Sequence, residues 1–210
     1  MKRLIDITIA LLVLLLLLPA WLVIALLIKW TSSGPVLFMQ DRPGRGTKVF
    51  GVYKFRTMKL GSETMIKGHE VMKDDDRVTS IGKLLRRTKL DEIPQMLNVL
   101  KGEMSLIGPR PERIDYLPEY TAEELKRFNV RPGLTGLAQV SGGIYISLDE
   151  RHRYDVYYVD HYSLWLDIKI VVRTIGVILF GEEKYMNREL VSFKKIEKSS
   201  EKEQLLNRQY

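Results

Sequence analysis

An uncharged apolar run over residues 7–28 restricts the fold of this chain more than any other feature of its sequence. The run is mostly Leu, Ile, Val and Ala. As a helix it reaches about 33 Å, enough to cross a hydrocarbon core of about 30 Å. A cleaved signal peptide does not fit, because the run is too long and no A-x-A site follows it. The run therefore predicts a helix that enters a lipid bilayer.

Pro19 and the basic flanks of the run favour a helix that dips into one leaflet and returns. Proline inside a helix removes a backbone hydrogen bond and clashes one turn back, which bends the helix. Lys2 and Arg3 precede the run and Lys29 follows it, and basic flanks tend to stay on the cytoplasmic side. A Pro-kinked single span with its larger basic flank inside remains the alternative. Both topologies predict a cytoplasmic domain.

Composition restricts the partners and the kinds of site. The 210 residues carry a formal net charge of +7, which favours acidic lipid headgroups, phosphorylated substrates or nucleic acid. Without cysteine the chain has neither disulfides nor thiolate metal sites, and its three histidines lack zinc-binding spacing. No RNP-like aromatic signature is present, and a membrane segment is an awkward setting for nucleic acid, so nucleic acid is not an expected partner.

The pattern after the membrane segment predicts an α+β fold that is mostly helical. Two runs rich in β-formers, residues 36–38 and 49–55, flank a turn-rich segment and predict a short β-hairpin. Further elements are expected as a strand over 104–107 and as helices over 81–87, up to 100, 121–128, 147–162 and 163–180. The last helix carries Asp167, Lys169 and Arg173, which oppose a span. Trp165 and the tyrosines just upstream suit the headgroup level, which favours an interfacial amphipathic helix over a buried one.

An acid pair, Asp91 and Glu92, stands shortly before Pro94. One interpretation is structural, because Thr88-x-x-Asp91 fits a capping box and the helix dipole stabilises acids in a first turn. Pro94 disfavours helix at the residue before it, so the pair is expected at a junction where a new helix begins. There the dipole and cations such as Arg86 would depress the carboxylate pKa, keeping the group ionised as a nucleophile or metal ligand.

Several cations are candidates for binding phosphate. Arg110 stands between Pro109 and Pro111, so its backbone has little freedom to lose, and its fork of donors suits a phosphate. Aromatic and cationic residues alternate around Lys54 and Arg56, which places both cations on one strand face. For these two a solvated basic edge is the commoner interpretation.

An acid pair among such cations fits phosphoryl chemistry. Cations neutralise phosphate oxygens, and a carboxylate attacks phosphorus or binds a divalent metal. Because carboxylates alone repel a pyrophosphate, Mg²⁺ is a natural bridge. Two other hypotheses compete with this one. The chain could be a membrane-bound nucleotide-sugar pyrophosphatase with water as acceptor, or a non-enzymatic basic membrane scaffold.

Three segments carry a resemblance to a known family: LDEIPQMLNVLKGEMSLIGPRPE, the upstream YKFRTM and the downstream RPGLTGLAQVSG. They resemble the bacterial sugar transferases, the monotopic polyprenyl-phosphate phosphoglycosyl transferases, over residues 1–181 and in the small single-domain form. The resemblance implies transfer of a sugar 1-phosphate from a UDP-sugar to undecaprenyl phosphate, with release of UMP, at the cytoplasmic face of the bacterial inner membrane. This is the first membrane step of exopolysaccharide, capsule, O-antigen or glycoprotein assembly, so downstream glycosyltransferases are expected partners.

The same resemblance implies roles for individual residues. Asp91 is the expected nucleophile, forming a covalent phosphosugar-aspartate, and lies beside the required Mg²⁺ as its ligand. Glu92 is expected to assist, by deprotonating the acceptor phosphate. Arg110 is expected to bind phosphate. Further candidates for contacts with donor or acceptor phosphates are Lys54, Arg56, Arg86 and Arg131.

The resemblance also implies a re-entrant first helix and three parts of the chain. Family members commonly have Ser before the central proline, whereas here Leu18 precedes Pro19. Since a serine hydroxyl could satisfy backbone groups that the break frees, the sharpness of the kink stays open. The expected parts are a re-entrant membrane helix over 1–30, a catalytic domain resting on the membrane over 31–181, and a charged tail over 182–210.

Overall fold

The computed structural model of the chain describes residues 1–62, 75–185 and 190–191. Most of the predicted tail, residues 186–189 and 192–210, lies outside these ranges. The described residues form an α+β fold that is mostly helical and contains two small sheets. The predicted α+β, mostly helical class is therefore confirmed.

The main elements follow the predicted order. They are α1 (Lys2–Leu16), α2 (Leu18–Thr31), β1 (Leu37–Pro43), β2 (Val49–Phe55), α3 (Ser80–Arg87), α4 (Gln95–Lys101), β3 (Ser105–Ile107), β4 (Gly133–Thr135), α5 (Leu137–Val140), α6 (Leu148–Asp160) and α7 (Leu164–Phe180). Short 3-10 turns lie at Arg45–Thr47, Leu90–Glu92, Ile114–Glu119, Glu124–Asn129, Gly143–Tyr145 and Glu183–Tyr185. The helix predicted over 121–128 is thus only a 3-10 turn, and β4, which pairs in parallel with β3, was not predicted.

The apolar run forms two helices, α1 and α2, that meet at a bend of 61°. Leu17 is the break, and Pro19 lies in the first turn of α2, where its missing N–H leaves no helical hydrogen bond unmade. Among the described residues, no helix taken singly has the length and apolar composition to cross a membrane. The bent pair meets that test of length and composition only when its two helices are counted together.

Both ends of the α1–α2 pair are held against the same fold. At the start of α1, the Lys2 ammonium donates to the Asp167 carboxylate of α7 at 2.7 Å. One turn later, the buried Asp6 carboxylate accepts from the Leu106 amide at 3.1 Å. Near the end of α2, a core cluster joins this helix to β2 and α3 through Ile24, Ile28, Phe55 and Leu85. The two termini of the α1–α2 pair are therefore held on the same fold.

The predicted hairpin is present, with β1 and β2 paired antiparallel. Strand β1 continues to Pro43 instead of ending at position 38, because Asp41 and Arg42 pair with Gly51 and Phe50. The buried Asn98 of α4 fixes the hairpin from below: its amide donates to the Gly51 carbonyl at 2.7 Å. The hairpin is thus a rigid platform beside α4.

Helix α7 has two apolar faces of different kinds. Leu166 and Ile170 are buried in the core together with Asp167. The other side of α7 exposes large apolar side chains: Trp165, Ile168, Val171, Val172, Ile175, Ile178 and Leu179. Helices α1 and α2 expose a comparable set: Leu11, Leu12, Leu15, Leu16, Leu18, Leu22, Val23, Leu26 and Trp30.

Candidate active site

The acid pair lies in the 3-10 turn Leu90–Glu92, between α3 and α4. Lys89 starts this turn in the left-handed region, with φ of 57°. Thr88 belongs to the end of α3, and its hydroxyl donates to the Leu84 carbonyl at 2.9 Å. The 3-10 turn has no side-chain cap, so the capping-box interpretation of Asp91 is wrong and the predicted junction is correct.

Glu92 is held by two cations from different parts of the chain. Its Oε1 accepts from the Lys54 ammonium at 2.9 Å and from the Arg110 guanidinium at 2.7 Å. Burial by itself would raise the pKa of Glu92, but these two cations outweigh burial and hold the pKa well below its ordinary value. Glu92 is therefore a firmly ionised carboxylate whose charge is already matched.

Asp91 has a different environment although it is the adjacent residue. Its side chain is buried, with 7% exposed, and it makes no hydrogen bond to any residue the structure describes. Burial and the charge of Glu92 raise the pKa of Asp91, against the opposing pull of Lys54 and Arg86. The predicted depression of the pKa is therefore wrong for Asp91 and right for Glu92, because the nearest cations donate to Glu92.

The Pro-Arg-Pro loop presents Arg110 from the opposite wall. Its backbone is supported from behind by Arg127, which donates to the Arg110 carbonyl at 2.9 Å. Arg127 also donates to the Asp155 carboxylate at 2.6 Å, and each of these two side chains is only 2% exposed. Arg110 thus reaches Glu92 from a loop that a buried ion pair holds in place.

A buried network around Arg127 was not predicted. Glu112 lies 3.3 Å from the Arg127 guanidinium, and the His152 ring nitrogens lie 3.2 Å from Glu112 and 2.7 Å from Glu124. Burial would raise the pKa of Glu112, yet His152 and Arg127 lower it to about 2. Burial opposes the charged form of His152, but its two carboxylate partners raise its pKa. The only signal in the sequence was the spacing of His152 and Asp155, three residues apart on one helix face.

A cleft of about 1100 Å³ joins these features. Its walls come from the hairpin, α3, the acid-pair turn, the Pro-Arg-Pro loop and the connection from α5 to α6. Most of the predicted site residues line it: Lys54, Arg56, Arg86, Asp91, Glu92 and Arg110. Arg131 is not among the lining residues, and its Nε donates to the Gly102 carbonyl at 2.7 Å.

Two of the lining arginines are only partly occupied by protein partners. Arg56 is 7% exposed, and its Nη2 donates to the Ser32 carbonyl at 2.9 Å, just after α2. Its Nε and Nη1 are buried without a partner among the described residues. The Nε of Arg86 donates to the Thr57 hydroxyl at 2.8 Å, and burial lowers the pKa of Arg86 while Asp91 opposes this. Arg86 leaves donors for an anion in the cleft, whereas the remaining donors of Arg56 are buried, with Nη1 beside Gly34.

Comparison with known proteins identifies the family. The family described as "Bacterial sugar transferase" matches residues 1–181. The chain belongs to this family. The predicted family is therefore confirmed, over the range that its motifs indicated.

Three relatives show how similar this sugar transferase is to known proteins. It is 43% identical to the uncharacterized sugar transferase EpsL of Bacillus subtilis (strain 168), over 87% of this chain and 89% of EpsL. It is 42% identical to a UDP-glucose:undecaprenyl-phosphate glucose-1-phosphate transferase of Caulobacter vibrioides, over 88% of this chain and 72% of the relative. It is 44% identical to a UDP-N-acetylgalactosamine-undecaprenyl-phosphate N-acetylgalactosaminephosphotransferase of Aeromonas hydrophila, over 86% of this chain but 44% of that longer protein.

Glu182 is a further cleft residue of the sugar transferase that sequence reasoning missed. It follows α7, as the first residue of the predicted tail, and lines the cleft. Its carboxylate accepts from the Lys89 ammonium at 3.2 Å and from the Ile144 amide at 3.3 Å. Nothing in the local sequence distinguishes it from the other tail acids, because its contacts lie about 40 and 90 residues away along the chain.

The donor set suits a magnesium ion only in combination with substrate. Among the described residues, no three His, Cys, Asp or Glu side chains group closely enough to hold a metal by themselves. Mg²⁺ sites in phosphate-processing enzymes commonly use one or two carboxylates and complete the shell with phosphate oxygens and water. Asp91 fits that pattern, since its buried carboxylate is free of hydrogen bonds, while Glu92 is taken by Lys54 and Arg110.

Proposed function

We propose that this phosphoglycosyl transferase moves a sugar 1-phosphate from a UDP-sugar to undecaprenyl phosphate and releases UMP. The observation that carries the proposal is the contrast within the acid pair. Asp91 is a buried carboxylate without a hydrogen-bond partner among the described residues, and the two cations at the centre of its cleft, Lys54 and Arg110, are held by Glu92. The printed activities of the Caulobacter and Aeromonas relatives support the same reaction class.

In the first step, an Asp91 carboxylate oxygen attacks the phosphorus that carries the sugar. The bond between this phosphorus and the oxygen bridging it to the nucleotide phosphate breaks, and UMP leaves with the electron pair. A phosphosugar-aspartate remains on the enzyme. Burial favours Asp91 as the nucleophile, because a carboxylate stripped of water has no solvent shell to displace before it attacks.

In the second step, an oxygen of undecaprenyl phosphate attacks the same phosphorus. The bond from phosphorus to the aspartate oxygen breaks, Asp91 returns to a carboxylate, and a sugar linked to lipid through a diphosphate is formed. The second pKa of a phosphate monoester is about 6, so the acceptor phosphate is largely a dianion at neutral pH. It therefore needs no strong base to deprotonate it.

Glu92 then acts as a positioning residue more than as a base. A carboxylate whose pKa lies well below the ordinary value is a weak proton acceptor. Its contacts with Lys54 and Arg110 instead fix both cations at the centre of the cleft, where they neutralise phosphate oxygens. Magnesium bound at Asp91 and the donor phosphates would add Lewis-acid neutralisation of the same charge.

Arg56 is the best candidate for the acceptor phosphate. It contacts Ser32, immediately after the membrane helix pair, so a lipid phosphate emerging along α2 meets this guanidinium first. Two of its buried nitrogens, Nε and Nη1, have no acceptor among the described residues, so the charge of this guanidinium is not matched by the protein.

The membrane arrangement is a re-entrant α1–α2 pair with α7 in the interface. Three features support this: the 61° bend, the anchoring of both ends of the pair on one fold, and the exposed apolar faces of α1, α2 and α7. The remainder of residues 31–181 then rests on the cytoplasmic face of the inner membrane. Its product would feed glycosyltransferases that extend the lipid-linked sugar.

The deciding experiment measures UMP release from a panel of UDP-sugars, with undecaprenyl phosphate and Mg²⁺ present. Asp91→Asn is expected to lose at least about 1000-fold in rate and to trap no labelled sugar phosphate on the protein. The matched control is Asp149→Asn, which changes an exposed acid in α6 away from the cleft. Near-normal turnover of Asp91→Asn would refute the nucleophile assignment. Undiminished turnover without undecaprenyl phosphate would indicate the pyrophosphatase alternative.

Topology is tested by cysteine labelling, for which a chain without cysteine is well suited. One cysteine is inserted between Met1 and Lys2, and another replaces the exposed Ser33. The re-entrant arrangement predicts that a membrane-impermeant thiol reagent labels both only from the cytoplasmic side. Periplasmic labelling of the N-terminal cysteine would establish a single span instead.

A further inference from the structure

A cation outside the predicted set shares the cleft face of the hairpin. Side chains alternate along a strand, so Phe38, Gln40 and Arg42 of β1 face the same side. All three line the cleft, as does Lys54, which pairs with Phe38 across the hairpin. Arg42 stands four residues beyond Phe38, about 13 Å along the strand. It therefore marks the end of the cleft opposite the one where Arg56 meets α2.

Arg42 has no acidic partner of its own. Its guanidinium donates to the Gln40 side chain at 2.7 Å, and no carboxylate of the described residues lies within ion-pair distance. Glu112, the carboxylate whose charge acts most strongly on Arg42, is committed to Arg127 and His152. Arg42 nevertheless is half-buried, and it lines the cleft.

The charges around Arg42 are mainly of the same sign. Burial, followed by the charges of Arg110 and Arg113, lowers the pKa of Arg42 to about 10, against weaker opposition from Glu112. Arg113 is matched by Asp115 at 2.5 Å, and Arg110 is matched by Glu92. A half-buried cation beside two others lacks a counter-charge, and an anionic ligand would supply it.

We propose that Arg42 binds the phosphate of the leaving nucleotide, as the outer member of a two-arginine site shared with Arg110. This inference rests on the proposed function and adds the nucleotide's place in the cleft. In an in-line displacement the leaving oxygen lies opposite the attacking carboxylate. The cations that neutralise it therefore have to lie on the Arg110 side of the acid pair, away from Asp91. Arg42 lies on that side, because it lines the cleft and the adjacent Pro43 lines the same small pocket as Arg110.

The two ends of the cleft then receive different substrates. At the Arg56 end, the guanidinium touches the exit of the membrane helix pair, which suits a lipid phosphate. The Arg42 end is separated from it by the length of the β1 strand, which suits a water-soluble nucleotide. Lys54 lies between them, bonded to the acid pair at which the phosphoryl group is exchanged.

The test measures UMP binding to the full chain in lipid nanodiscs by calorimetry, at fixed Mg²⁺ and without acceptor. Arg42→Gln is expected to weaken the Kd for UMP by about 10- to 100-fold, the loss typical of a hydrogen bond to a charged group. Arg42→Lys is expected to lose less affinity for UMP, because lysine keeps the positive charge and lacks only the paired N–H donors of the guanidinium. The matched control is Arg45→Gln, an exposed arginine of the same hairpin that does not line the cleft.

Kinetics separate the two possible phosphates. The proposal predicts that Arg42→Gln raises KM for the UDP-sugar in parallel with the UMP Kd and leaves KM for undecaprenyl phosphate unchanged. A rise confined to the acceptor KM would assign Arg42 to the lipid phosphate and overturn the proposal. The proposal is also overturned if Arg42→Gln and Arg42→Lys both bind UMP as tightly as Arg45→Gln does. This comparison requires that the variants have the same thermal midpoint.

Failure of the proposed function gives a different result. A wild-type chain that releases no UMP from any UDP-sugar contradicts the transfer reaction. Binding of UMP that depends on Arg42 would still establish the nucleotide site in that case. Conversely, normal UMP release with Arg42-independent binding rejects only the site.

Discussion

Two loops with an Arg-Pro sequence were both predicted to bind phosphate, and the structure uses them differently. Arg110 points into the cleft and reaches Glu92 at 2.7 Å. Arg131 points away from it and donates to the Gly102 carbonyl at 2.7 Å, where α4 ends. The loops themselves touch, because the Gly133 amide donates to the Pro109 carbonyl at 2.8 Å. One loop therefore carries a candidate substrate cation, and the other braces its base.

The difference teaches that a stiff loop fixes an arginine without deciding what the arginine meets. Proline limits the backbone of both loops in the same way. The partners differ because Arg110 faces the buried-acid turn, whereas Arg131 faces the C-terminus of α4, whose last carbonyls lack helical partners. The second arrangement is a cap and has no need of a ligand.

The largest effect is expected from removing the support of the first loop, in Arg127→Leu. Breaking the buried pair leaves Asp155 without its counter-charge and Glu112 with His152 as its remaining cationic partner, so the free energy of unfolding should fall by about 3–5 kcal/mol. Equilibrium unfolding in detergent measures this. The control is Lys126→Ala, which removes the exposed ion pair of the adjacent residue with Glu123. It should lower the free energy of unfolding by less than about 1 kcal/mol. Equal losses in the two variants would show that Arg127 does not hold the loop.

Next in size is the effect of Arg110→Ala on turnover. Loss of a preorganised donor at the phosphoryl site is expected to lower kcat for UMP release by about 100- to 1000-fold. Stability should change little, because the Arg110 side chain is 43% exposed and Lys54 still pairs with Glu92. Steady-state kinetics beside a thermal melt separates the two quantities. A loss of activity no greater than that of Arg131→Ala would erase the distinction between the loops.

The corresponding change in the second loop, Arg131→Ala, should affect stability and not chemistry. Removing the donor to the Gly102 carbonyl is expected to lower the free energy of unfolding by about 1 kcal/mol. Activity at saturating substrates should stay within about threefold of wild type. If turnover instead dropped as far as in Arg110→Ala, Arg131 would belong to the phosphate site.

The smallest effect is expected in the pH dependence of stability. It arises from His152, which supports the loop that carries Arg110 and not the loop that carries Arg131. Its pKa is raised above the ordinary 6.5 by Glu112 and Glu124, although burial opposes this. A raised pKa means that its stabilisation is complete below about pH 6.5 and is lost as pH rises through the folded-state value. Thermal midpoints measured from pH 5 to 9 should fall less steeply in His152→Gln than in wild type. Parallel curves would exclude His152 as the source.

Local sequence patterns gave a large part of the fold. The turn residues and β-formers predicted the hairpin. The helices predicted up to position 100 and from position 147 correspond to α4, which ends before Gly102, and to α6, which opens with a capping box of Ser147 and Glu150. Pro19 marked the break in the apolar run to within two residues. These features are set by contacts between residues a few positions apart, which the sequence displays directly.

The candidate site was only partly predictable, since its chemistry depends on distant neighbours. The acid pair and Arg110 stood out through their unusual prolines. The pKa of Glu92, however, is lowered by Arg110 and by Lys54, nearly 40 residues away, whereas burial and the charge of Glu92 raise the pKa of Asp91. Likewise Arg42 resembled a turn residue until the register of β1 placed it in the cleft.

By itself, the sequence determined the long apolar run and its break near Pro19, the α+β class, the family and the acid pair, because these follow from hydropathy, propensity and contiguous motifs. Only the tertiary structure decided which of two like arginines faces the cleft, which of two adjacent carboxylates is left unpaired, and where Asp6 and Glu182 anchor. The physical reason is that burial and charge pairing depend on distances in space. Neighbours in sequence such as Asp91 and Glu92 can therefore acquire opposite properties.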